Sequence, residues 1–182
     1  MQKQARITLH NKTFEKYIGE EEIEKAVKKM ALGINTDFEH KNPLIIPVLN
    51  GAFMVAADLM KNLKINCEIS FTKLSSYSGT STTGTVKTLI GLGEDIRGRD
   101  VILLEDIVDT GITMEKLERE LERFEPKSVR IATLLLKPDA YHFRIPLHYV
   151  GMEIPNKFIV GYGLDYDGLG RNLRDIYVVT EN

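Results

Sequence analysis

Apolar and polar positions change period several times along this chain, and each change marks an element. Residues 20–32 (EEEIEKAVKKMAL) place Ile23, Ala26, Val27, Met30 and Ala31 at spacings of three and four, which predicts an amphipathic helix. Its acidic start and later lysines suit the helix dipole. PLIIPVL (43–49) is a short apolar run read as a buried strand, turning at Asn50 and Gly51 into AFMVAADLMKNL, a helix with a broad apolar face. CEISFTKL (67–74) alternates as a strand. SSYSGTSTTGT (75–85) is rich in Ser, Thr and Gly and reads as a mobile loop. VKTLIGL resumes as a strand before the polar turn EDIRGRD. ITMEKLERELERF (112–124) carries Ile112, Leu117 and Leu121 on one face, a second amphipathic helix, and VRIATLLLK (129–137) follows as a buried strand. Strand and helix alternate, so the expected class is α/β with a central, mainly parallel, twisted sheet flanked by helices. The tail holds shorter extended pieces, YVGMEI, KFIVGYGL and DIYVVTEN. With no repeat and no linker in view, residues 1–182 read as a single domain. A small lobe would be built from the N-terminal segment and roughly 140–182.

Composition narrows the classes without changing this outline. At 182 residues with 43% hydrophobic content the chain can bury a sizeable core. A net charge of −2 gives no polyelectrolyte footprint, so nucleic acid is not an expected partner. The single cysteine, Cys67, excludes an intramolecular disulfide and reads as a structural thiol. The N-terminus MQKQARITLH has no signal-like apolar core, and no apolar stretch reaches bilayer-spanning length. A soluble cytoplasmic protein, without membrane contact, is the expectation.

The chemistry concentrates in VILLEDIVDTGIT (101–113). A strand buried on both faces carries Glu105, Asp106 and Asp109 toward a carboxyl end, where open α/β sheets bind ligands. Thr110, Gly111, Ile112 and Thr113 then start a helix and offer backbone N–H groups to a phosphate. Neither a Walker loop nor the GxGxxG fingerprint is present at any strand-to-helix junction. His10, His40, His142 and His148 lack ligand spacing and read as structural or exposed, and Arg174 as a surface residue.

This stretch closely resembles the phosphoribosyl-diphosphate signature of the type I phosphoribosyltransferases. PVLNGAFMVAADL, LSSYSGTSTTG, IATLLLK and GMEIPNKFIVGYGLDYDGLGRNL resemble, in the same order, the hypoxanthine(-guanine) branch of that family. The resemblance implies transfer of ribose 5-phosphate from phosphoribosyl diphosphate to N9 of hypoxanthine, and of guanine, with magnesium as cofactor. It implies a homodimer or homotetramer, and a hood lobe over the sheet. Glu105 and Asp106 are matched to the ribose and metal side, and Asp109 to the general base or acid near purine N7. Asp109 with Thr110–Thr113 matches the 5′-phosphate cradle. Lys137, Phe158, Ile159 and Asp165 match the purine pocket, with Lys137 on O6, Phe158 stacked on the base and Asp165 also on the metal. Asn50, Gly51, Arg171 and the loop residues Ser76 and Tyr77 match the diphosphate side. Some relatives carry a basic residue where this chain has Asn50 or Ile112, so these two turns rely on backbone donors. The family often has a cis peptide at the bond equivalent to Leu49–Asn50.

Two other readings stay open on these residues. One is a xanthine- or guanine-preferring transferase. The other is a nucleotide-sensing, RNA-binding regulator on the same fold, which calls for a basic face that the overall charge does not supply.

Overall fold

The computed structural model describes residues 6–75, 87–90, 95–142 and 145–180. Its main sheet is built from β3 (Leu44–Leu49), β4 (Glu68–Ile69), β5 (Thr72–Ser75), β6 (Lys87–Ile90), β7 (Asp100–Val108), β8 (Ser128–Leu136) and β9 (Tyr149–Glu153). The order is β6-β5-β3-β7-β8-β9, with β4 also paired to β3. Among the described residues of this sheet, only β5 and β6 run antiparallel. The expected alternating strand 67–74 is two short pieces. Both lie beside β3, one against Leu44–Ile45 and the other against Val48–Leu49. Pro47, which has no N–H to give to a ladder, falls between those two paired stretches.

Among the described residues three helices cover the faces: α1 (Glu20–Asp37), α2 (Phe53–Asn62) and α3 (Ile112–Glu122). On β7, Ile102 and Leu104 pack with α1 and α2, while Val101 and Leu103 pack with Met114, Leu117 and Leu121 of α3. Successive strand residues point to opposite faces; two apolar layers therefore require the unbroken apolar run read in the sequence. Full burial of each such side chain contributes about 1.5–3 kcal/mol. Ile112, placed on the apolar face of α3 from its spacing, is 45% exposed at the first position of that helix.

Helix α1 runs five residues beyond the 20–32 segment, through Gly33 and Thr36. Packing overrides weak propensity there. The Tyr149 ring lies against Gly33, its hydroxyl donates to Asp37 Oδ2 at 2.7 Å, and Ile34 is fully buried.

A second sheet joins the chain's two ends. β1 (Arg6–Leu9), β2 (Lys12–Ile18), β11 (Ile176–Val179) and β10 (Ile159–Val160) pair antiparallel in the order β1-β2-β11-β10. Phe14, Val160 and Tyr177 form its small core. One boundary needs correcting. Tyr149–Glu153, assigned with roughly 140–182 to the end-built lobe, is a parallel strand of the main sheet beside β8. Its buried Tyr149 and Gly151 face packs under α1, which draws it into the larger core. No described helix is long and apolar enough to cross a membrane.

Candidate active site

Strand β7 ends at Val108, and Gly111, at φ +90°, caps α3 without a side-chain bond. The first N–H groups of a helix have no intrahelical partner, so the Asp109–Thr113 turn presents donors into solvent. Thr110, Ile112 and Thr113 are exposed there and Gly111 is buried. The Ile112 N–H donates weakly to Thr110 Oγ1 at 3.5 Å. The turn after β3 comes alongside this one. Its Leu49–Asn50 peptide is cis, Asn50 is exposed, and a Cβ on Gly51 would fall on the Asp106 carboxylate. Only glycine permits that approach.

A cleft of about 280 Å³ gathers half of the site residues singled out in the sequence. Gly51, Asp106, Asp109, Lys137, Phe158, Ile159, Asp165 and Arg171 line it, with Ile107, Lys157 and Leu164 beside them. These last three carry no signal of their own in the sequence, since an isoleucine in an apolar strand and a lysine before an aromatic are both commonplace. Glu105 is buried and is not among the lining residues. Asn50 and Thr110–Thr113 stand outside that lining. Ser76 and Tyr77 lie outside the described residues.

Each charged side chain in the cleft is held by a partner. Lys137, buried at the end of β8, donates to Asp109 Oδ2 at 2.8 Å. Arg171 donates to the Gly163 carbonyl at 2.7 Å and pairs with Asp165 Oδ1 at 2.6 Å, while Asp165 Oδ2 accepts the Gly168 N–H at 2.8 Å. Phe158, 44% exposed, presents one side of its ring to the cleft and packs against Phe14 and Tyr166.

Glu105 and Asp106 depart from ordinary carboxylates. Burial pushes Asp106 up to about 6, even though its Oδ1 accepts the Ile107 N–H and Arg171 stands nearby. Glu105 is raised well above its usual range by burial and by the Asp106 charge. Among the described residues no three His, Cys, Asp or Glu side chains form a ready metal cage. Glu105, Asp106 and Asp165 are therefore not a preassembled metal site, because Asp165 is turned onto Arg171. They fit magnesium in a narrower sense. A divalent cation relieves the charge that burial penalises, and magnesium takes most of its ligands from water and phosphate with one or two carboxylates.

Comparison with known proteins places the chain in a family. The phosphoribosyl transferase domain model matches residues 16–167. The hypoxanthine-guanine phosphoribosyltransferase of Streptococcus pyogenes serotype M3 is 42% identical over 163 residues, 89% of this chain and 91% of that protein. Its counterpart in Mycobacterium tuberculosis H37Rv is 41% identical over 160 residues, 84% of this chain and 79% of that protein. Among solved structures, a hypoxanthine-guanine phosphoribosyltransferase from Bacillus anthracis, with HEPES in its active site, superposes with a TM-score of 0.85 at 41% identity. That match covers 91% of this chain and 98% of that one. Matched over most of its length and at this identity, the chain belongs to the type I phosphoribosyltransferase family, in its hypoxanthine-guanine branch.

Proposed function

We infer that the protein is a purine-salvage transferase that moves ribose 5-phosphate from phosphoribosyl diphosphate to N9 of hypoxanthine, and of guanine. The bond from C1′ to the diphosphate oxygen breaks and its electron pair leaves with diphosphate. The N9–C1′ bond forms, and the purine gives up one proton. The observation that carries this reading is the meeting, in one cleft, of the Asp109–Lys137 pair with the Gly51 turn and Arg171.

Lys137 spends one donor on Asp109, and an ammonium has two more. A fixed donor there suits the oxo group of a 6-oxopurine. Adenine offers an amino donor at the same place and would leave the remaining donors of a buried lysine without an acceptor. Asp109, bonded to that lysine and half exposed to the cleft, is positioned to take the purine proton. Phe158 offers its ring to the base. The backbone donors of 110–113 receive the 5′-phosphate. Arg171, oriented by Asp165 and by the Gly163 carbonyl, turns its remaining N–H groups toward the diphosphate together with the Gly51 amide. Glu105, Asp106 and Asp165 are the residues that would hold magnesium, which when bound supplies positive charge to the departing diphosphate.

The test is spectrophotometric: protein, magnesium, phosphoribosyl diphosphate and hypoxanthine should yield inosine monophosphate, and adenine should not react. Turnover with xanthine or guanine in preference to hypoxanthine would favour the first alternative. No turnover with any 6-oxopurine, alongside tight RNA binding, would favour the regulatory one.

A further inference from the structure

Outside the cleft, the Tyr162 hydroxyl donates to Asp58 Oδ2 at 2.6 Å, linking the turn 161–163 to α2. We propose that this pair is a positioning brace, which sets the spacing between the Gly51 turn and Arg171 and so tunes affinity for the diphosphate end of the donor. The proposal rests on the phosphoribosyl reading above.

Both ends of the bond lead to residues that face the diphosphate. Helix α2, which carries Asp58, begins two residues after Gly51. Tyr162 adjoins Gly163, whose carbonyl accepts from Arg171 Nη1 and whose N–H donates to the Arg171 carbonyl at 3.0 Å. A Cβ on Gly163 would fall on the Gly51 carbonyl, so the two turns touch through bare backbone. Any displacement of 161–163 is therefore felt by Gly51 and Arg171 together.

The turn also needs holding. Gly161, Tyr162 and Gly163 have φ of +103°, +48° and +98°. Glycine adopts such angles freely, but a tyrosine does not. Tyr162 is kept there by a ring buried against α1 and α2, by its N–H bond to the Leu173 carbonyl, and by the hydroxyl on Asp58. Lys61 pairs with the other Asp58 oxygen at 2.7 Å, which keeps that carboxylate charged and aimed.

Steady-state kinetics with magnesium test the brace. In Tyr162→Phe the KM for phosphoribosyl diphosphate should rise about tenfold, as for loss of one bond to a charged acceptor, while the KM for hypoxanthine stays within about twofold. Asp58→Ala cuts the same bond from its more exposed end and should reproduce the split even if Tyr162→Phe folds poorly. Asp58→Asn keeps an acceptor oxygen and should recover most of the wild-type value. Lower melting temperatures with both KM values unchanged, or an equal rise in both, would overturn the brace. A wild-type protein that forms no nucleotide in the same assay would instead overturn the phosphoribosyl reading beneath it.

Discussion

Asp106→Asn should make the protein more stable and disable it together. The Asp106 carboxyl is held at about 6 in the fold against 3.8 for the free group, a gap of 6 − 3.8, or about 2.2. At 1.36 kcal/mol for each unit, ionising it inside the fold costs about 3 kcal/mol. The sign follows from linkage. Below 3.8 the group is neutral in both states and costs nothing, stability is lost as pH rises from 3.8 to about 6, and above that the full cost is carried. Asparagine stays neutral throughout and can still accept the Ile107 N–H through its amide oxygen. Urea denaturation should find the variant more stable by about 3 kcal/mol near pH 8, with the gap closing toward about pH 4. Glu105, raised partly by the Asp106 charge, shifts the difference in the same direction. Magnesium with phosphoribosyl diphosphate at about 100 times its Kd should add about 2.7 kcal/mol to the parent and far less to the variant. A variant that is less stable at pH 8, or a stability gap that does not change with pH, would refute the reading of Asp106 as a carboxyl whose ionisation burial opposes.

Lys137→Ala should lower kcat/KM for hypoxanthine by about 10–150-fold, the worth of a hydrogen bond to a charged donor, with little change in donor affinity. Equal loss of both would remove Lys137 from the purine side. Asp109→Asn should slow the single-turnover chemical step by roughly 10²–10⁴-fold while nucleotide titrations change little; an unaltered rate would end its proton-transfer role. Gly51→Ala should weaken diphosphate binding measured by calorimetry, because its Cβ displaces the Asp106 carboxylate; an unchanged Kd would contradict the close approach of that turn.

Much of this was legible in advance for local reasons. VILLEDIV and IATLLL are long apolar runs, and only a strand covered on both faces uses every residue of such a run. The Thr110–Thr113 turn announced the helix it begins. The N-terminal hairpin β1–β2 was not visible, because its half-buried residues alternate too weakly to mark a strand until β11 pairs with it. The extension of α1 past Gly33 depends on a tyrosine more than a hundred residues away.

The sequence by itself determined the α/β class, the Thr110–Thr113 turn that opens α3 after β7, and the acids at the carboxyl end of that strand, since these follow from hydrophobic period and residue type within short windows; Lys137 was singled out by the family resemblance. Tertiary structure decided how those residues pair. It set Lys137 on Asp109 across 28 residues, turned Asp165 onto Arg171 rather than into an acidic cage, and brought Gly163 against Gly51. It also decided that Asp106, unremarkable as a letter, is buried deeply enough to resist ionisation. Such outcomes depend on which surfaces meet and how much water they exclude, and no local pattern encodes either.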